Sequence, residues 1–156
     1  MTVPLLNDDF RDLLAALVAA DASFLIVGAH ALAAHGVVRA TGDLDVLVQP
    51  TAENAQRVVV ALRAFGAPLA AHGVSEEDFG VPGMVYQIGL PPRRIDLLTE
   101  ISGVSFEDAW AGRLEVRVSD LLLNTLGRDA LIRNKLAAGR PKDLLDVEML
   151  EQASEP

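Results

Sequence analysis

The chain predicts a mixed α/β (α+β) fold: a mixed, twisted sheet flanked by helices, with further helices at the C-terminal end. Three observations predict it. Apolar residues recur at helical spacing, as in Phe10, Leu13, Leu14, Leu17 and Val18. Short apolar runs of strand length alternate with these segments, such as Ser23 to Val27 and Asp43 to Val48. Two pairs of strand candidates lie so close in sequence that they read as hairpins, which a purely parallel sheet would lack.

Asn7-Asp8-Asp9 offers a helix cap and first-turn negative charge, so the first helix runs to about Ala20. Ser23 to Val27, between Asp21 and Gly28, is a buried strand. Gly28 then opens the Ala-rich stretch Ala29 to His35, and Gly36 suits its end, so a short helix follows. Asp43 to Val48 is a strand stopped by Pro50, and Thr51 caps a helix carrying Val58, Val59, Leu62 and Phe65. Residues 66–82 show no clear period and read as loop. Met84 to Leu90 and Arg94 to Leu98 form a hairpin across Pro91-Pro92. Ser105 to Ala111 is a short helix. Leu114 to Val118 and Leu121 to Leu126 make a second hairpin across Ser119-Asp120. Arg128 to Ala138 is a helix stopped by Gly139, and Pro141 sits at N1 of a last helix reaching about Glu151.

A chain of 156 residues suits one domain, here expected over residues 1–156. It carries 13 Lys+Arg against 22 Asp+Glu, a net charge of −9, which argues against a broad basic surface for nucleic acid. At 51% hydrophobic and 22% charged residues it is not a disordered chain. The absence of cysteine removes disulfides, thiolate metal sites and cysteine nucleophiles, and fits a cytoplasmic location. No apolar stretch reaches the ~18 residues of a membrane span, and the N-terminus lacks the basic start of a signal peptide.

The sharpest chemical signal is Asp43-Leu44-Asp45. Strand side chains alternate, so Asp43 and Asp45 share one face and Leu44 and Val46 the other. At ~4 Å, like charges repel by about 1 kcal/mol in water and about 4 at an effective dielectric of 20. A divalent cation with a taste for oxygen, Mg²⁺ or Mn²⁺, would relieve this; the alternative is a strand start with two solvated aspartates. Asp96, in Arg94-Ile95-Asp96-Leu97-Leu98, is a carboxylate in an apolar strand. It either completes a three-carboxylate platform or is salt-bridged to Arg93 or Arg94. Gly28-Ala29 at the strand-to-helix turn either admits a phosphate to free N–H groups or is an ordinary turn. His30 and His35, five apart, do not share a helix face and are not read as a metal pair. Arg140 and Lys142 stand at a helix start, where cations are disfavoured by roughly 0.3–1 kcal/mol. Either a polyanion docks there, or Asp143 and Asp146 neutralise Lys135 and Lys142 in a helix–helix network.

Taken together, three segments resemble the nucleotidyltransferase superfamily of the DNA-polymerase-β type, and within it the small bacterial proteins related to AbiEii toxins. They are Gly28-Ala29-His30…Arg39-Ala40-Thr41-Gly42-Asp43-Leu44-Asp45, Ile95-Asp96-Leu97-Leu98, and Lys135…Arg140-Pro141-Lys142-Asp143-Leu144-Leu145-Asp146. The resemblance implies a nucleotidyltransferase-like fold. It also implies Mg-dependent transfer of a nucleoside monophosphate from an NTP to an acceptor hydroxyl, with RNA, a protein or a small molecule as candidate acceptors. Asp43, Asp45 and Asp96 would hold Mg²⁺ or Mn²⁺, with Asp96 helping to deprotonate the acceptor. Gly28 and Ala29 would cradle phosphate, Lys135, Lys142 and Asp143 would bind nucleotide and support the site, and Arg39 and Thr41 would form its wall. A toxin role would bring an antitoxin-like partner, and no membrane partner is implied. The chain departs from the superfamily in having Gly28-Ala29 where Gly-Ser is frequent, which removes one hydroxyl from the phosphate turn. The alternatives are a catalytically degenerate nucleotide-binding or protein-interaction module on the same fold, and a metal-dependent phosphohydrolase.

Overall fold

The computed structural model describes residues 7–39 and 42–153; Thr41 falls outside them. Helix α1 (Asp8–Ala19) is capped by Asn7, whose side chain accepts from Phe10 N–H at 3.0 Å. Strand β1 (Phe24–Val27) leads directly into α2 (Gly28–Ala34). Strand β2 (Leu44–Val48) follows, then α3 (Ala52–Phe65), capped by Thr51 and ended by Gly66 in the left-handed region. Hairpin β3 (Val85–Ile88) and β4 (Ile95–Leu98), the short α4 (Phe106–Ala111), and hairpin β5 (Leu114–Val118) and β6 (Leu121–Thr125) come next. Helices α5 (Arg128–Ala138) and α6 (Pro141–Gln152) end the described chain.

The strands form one mixed six-stranded sheet in the order β3-β4-β2-β1-β6-β5. Both hairpins are antiparallel and lie at the two edges, as the short connections predict. In the middle, β1 runs antiparallel to β2 and parallel to β6, and β2 runs parallel to β4.

Period-two alternation sorts the side chains into two layers. Phe24 and Ile26 of β1, Leu44, Val46 and Val48 of β2, and Ile95 and Leu97 of β4 pack on one face against α1 and α3. Leu25, Val27 and Leu47 pack on the other with α2, α4, α5 and α6. The parity that sends Leu44 and Val46 into the first core sends Asp45 to the second face, and likewise Asp96 against Ile95 and Leu97.

Residues 66–82 are not purely loop. A 3₁₀ turn spans Glu76–Gly80, and its Phe79 is fully buried with its ring 6.2 Å from that of Tyr86. The capping box of Ser75 and Asp78 starts this turn. It is too short to show a hydrophobic period, but its cap is visible in the sequence.

Candidate active site

Asp45 and Asp96 are register partners on the parallel strands β2 and β4. Asp43 lies two residues before Asp45, and its Oδ1 accepts the Arg94 backbone N–H at 3.1 Å. The three carboxylates border one cavity of about 510 Å³. Gly28 and Ala29 border it from the turn after β1, and Arg39, Lys135 and Lys142 also contribute. Asp143 does not line this cavity. It is fully buried behind it and borders an adjoining space of about 450 Å³ that shares Asn134, Lys135 and Arg140 with the first.

The turn at Gly28 works differently from a simple opening for ligand. Gly28 has φ +67°, and a β-carbon there would overlap Asp45 Oδ2. The missing side chain makes room for a carboxylate of the protein itself. His30 stands two residues on, edge to face on Phe10 with ring centroids 5.8 Å apart. Burial holds its pKa below the ordinary histidine range, opposed by a hydrogen bond with the Asp43 backbone. His35 packs at the end of α2, its Nε2 2.8 Å from the Leu126 carbonyl, and takes no part in the cavity.

The sequence offers Arg94 only as a salt-bridge partner for Asp96, yet it is central. Its Nε donates to Asp96 Oδ1 at 2.8 Å and its Nη2 to Asp96 Oδ2 at 3.3 Å. The same Nη2 lies 3.4 Å from Asp43 Oδ2. Asp45 is left with the repulsion. Its carboxyl is pushed up to about 6, first by burial, then by the Asp96 charge and hydrogen bond and by Asp43, with Arg94 opposing.

The facing wall holds a second charge network. Buried Lys135 contacts Asp143 at 3.4 Å and Asp146 at 3.2 Å. Arg140 Nε donates to Asp143 Oδ2 at 2.6 Å, and Arg39 pairs with Asp146. The Arg140 bond holds the Asp143 carboxyl below its usual range. So Asp143 and Asp146 do neutralise Lys135, but Lys142 is outside the network: it is exposed, borders the cavity, and makes no ion pair among the described residues. Arg140 and Asp146, which the sequence offers as a basic helix start and a neutralising acid and not as site residues, are both members of this network. Asp146 lies one helical turn after Asp143, and that spacing is the signal for it.

Oxygen-only donors of this kind suit a hard divalent cation. As the side chains stand, however, no three acidic or histidine groups among the described residues converge to hold one. The guanidinium of Arg94 bridges two of the three carboxylates instead.

No protein-family model matches the chain, and no curated protein matches it in sequence. A solved structure does match in fold: lincosamide antibiotic adenylyltransferase LnuA with lincomycin bound, at a TM-score of 0.53 and 11% identity, covering 95% of this chain and 98% of that one. The fold is nucleotidyltransferase-like. Among the described residues no helix is long and apolar enough to cross a membrane.

Proposed function

We propose that the protein is a metal-dependent nucleotidyltransferase whose single domain moves a nucleoside monophosphate from an NTP to an acceptor hydroxyl. One observation carries the reading. Asp43, Asp45 and Asp96 border a single cavity with the Gly28 turn, opposite a wall of cationic side chains. The donor set fits Mg²⁺ or Mn²⁺, with the Arg94 guanidinium as the group that must yield. Bound there, divalent cations would stabilise the attacking and leaving oxygens of an in-line displacement.

The chain's own groups would do the rest. Backbone N–H groups at Gly28 and Ala29 receive phosphate oxygens, Ala29 supplying no hydroxyl. Lys142, exposed on the opposite wall, adds a cation for the triphosphate, and buried Lys135, held by Asp143 and Asp146, ties α5 to α6 behind it. Asp96 accepts the proton of the acceptor hydroxyl. Arg39, paired with Asp146, borders the cavity between the two networks. Asp143 supports it from behind by anchoring Arg140 and Lys135.

The fold neighbour's name specifies adenylyl transfer to a lincosamide, so a small hydroxylated molecule joins RNA and protein as a candidate acceptor. The motif order further supports a place beside the AbiEii-related group, with an antitoxin-like partner and action in the cytoplasm.

The test is incubation with α-labelled nucleoside triphosphates and Mg²⁺, against total RNA, protein and hydroxylated small molecules. Label transfer with pyrophosphate release supports the reading, and Asp43→Ala with Asp45→Ala must remove it. Transfer that survives both changes, or release of orthophosphate alone, overturns it. A second reading, a nucleotide-binding module without turnover, is favoured by Arg94 bridging two of the three acids. It predicts triphosphate binding that is indifferent to Mg²⁺.

A further inference from the structure

We propose that Arg94 is a tethered cation that occupies the acid site until a triphosphate arrives, and then transfers its guanidinium from carboxylate to phosphate. The inference rests on the metal-site reading above and adds its regulation. Four observations carry it.

The guanidinium is shared between Asp96, at 2.8 and 3.3 Å, and Asp43, at 3.4 Å, as a cation between two ligands would be. Its position follows from the strand: Arg94 precedes Asp96 by two residues, so both project to the same face. The Arg94 backbone is also pinned, by Asp43 and by the strand pairing at Leu44. Its N–H donates to Asp43 Oδ1 at 3.1 Å, and its carbonyl accepts from Leu44 N–H at 2.9 Å. The side chain can therefore leave without moving the strand.

The third observation is charge. One guanidinium faces Asp43, Asp45 and Asp96, so three negative charges meet one positive. The tethered cation under-neutralises the site, and a divalent ion is the better counter-charge. The fourth is room. The Arg94 side chain is 29% exposed and borders the same cavity as Lys142 and Gly28, so a rotated guanidinium stays within it. A phosphate accepts the planar fork in the same two-point manner as a carboxylate. Metal and triphosphate then help each other to bind, because each removes a cost of the other: the metal releases Arg94, and the phosphate receives it.

The experiment is Mn²⁺ titration followed by electron paramagnetic resonance, on the full chain, with and without a non-hydrolysable α,β-methylene triphosphate. Wild type, Arg94→Gln and Arg94→Lys are compared. Without nucleotide, Arg94→Gln should bind Mn²⁺ about tenfold or more tighter than wild type, the scale of one lost charge-assisted hydrogen bond. Arg94→Lys, which keeps the charge and loses the fork, should fall between, and it carries the test if the Gln variant does not fold. The triphosphate should strengthen Mn²⁺ binding in wild type more than in Arg94→Gln. Equal or weaker Mn²⁺ affinity in the variants, with wild type binding Mn²⁺ in the presence of the triphosphate, overturns this inference and leaves the metal site standing. No Mn²⁺ binding by any of the proteins, with or without nucleotide, removes both.

Discussion

The carboxylate of Asp45 fills the space that a side chain at Gly28 would need. A β-carbon there would overlap Asp45 Oδ2 and lie 3.1 Å from its Cγ. The Gly28 turn and strand β2 are thus one packed unit, and the glycine is required for a contact between β2 and the start of α2.

Gly28→Ala should therefore do two kinds of damage. A left-handed backbone costs a non-glycine residue about 1–2 kcal/mol, and the displaced Asp45 adds to it. We expect a loss of roughly 1–3 kcal/mol by urea denaturation. The same variant should lose Mn²⁺ binding, because Asp45 is pushed out of register with Asp96. Unchanged Mn²⁺ affinity would separate the turn from the acid site.

Asp45 makes a stability prediction with a definite sign. Its pKa rises from 3.8 to about 6 on folding, so the folded state holds the proton more tightly than the unfolded one. In EDTA, Asp45 contributes a destabilisation that is absent below pH 3.8, grows as pH rises, and is complete above about 6. Asp45→Asn mimics the protonated form. At pH 7 it should be more stable than wild type by up to about 3 kcal/mol, from 1.36 kcal/mol per pKa unit. The difference should vanish near pH 4. Half-buried His30, its pKa held low, costs stability as pH falls through the histidine range, but it is common to both proteins and cancels. Thermal midpoints across this range check the claim, and a variant less stable at pH 7 would contradict it.

Lys135 and Lys142 should separate structure from binding. Lys135→Met strips a cation from buried Asp143 and Asp146, and breaking a buried pair costs about 3–5 kcal/mol. Arg140 and Arg39 remain as partners and keep the loss toward the lower figure. Lys142→Ala removes an exposed side chain and should leave stability within about 0.5 kcal/mol. It should still weaken triphosphate binding, measured by calorimetry. A Lys142 variant that binds nucleotide like wild type would take that residue out of the site.

Much of this arrangement is legible in residue order, because it follows from short-range rules. Asn7, Thr51 and Pro141 mark helix starts through local hydrogen bonding and backbone restriction, and all three stand where those rules place them. Asp43, Asp45 and Asp96 share a face because side chains on a strand alternate. Their adjacency depends on β2 pairing with β4, a contact across some fifty residues that no local pattern specifies. The same holds for Arg94. Its pairing with Asp96 is local, but its bridge to Asp43 exists only because the two strands meet. The sequence offers Asp146 as a neutralising acid for Lys135 and Lys142, and the structure pairs it with Lys135 and Arg39 and not with Lys142. Its partners, Lys135 and Arg39, come from a different helix and from the segment after α2. The turn at Phe79 lacked enough residues to display a period.

The central claim is that Asp43, Asp45 and Asp96 hold divalent metal beside a triphosphate. Crystals grown with Mn²⁺ and a non-hydrolysable triphosphate, with data collected at the manganese edge, test it most directly. The account predicts anomalous density between these three carboxylates, with the triphosphate running toward Gly28 and Lys142 and with Arg94 withdrawn from Asp96. Triphosphate bound in the cavity without manganese at the carboxylates, and with Arg94 still paired to Asp96, would contradict it.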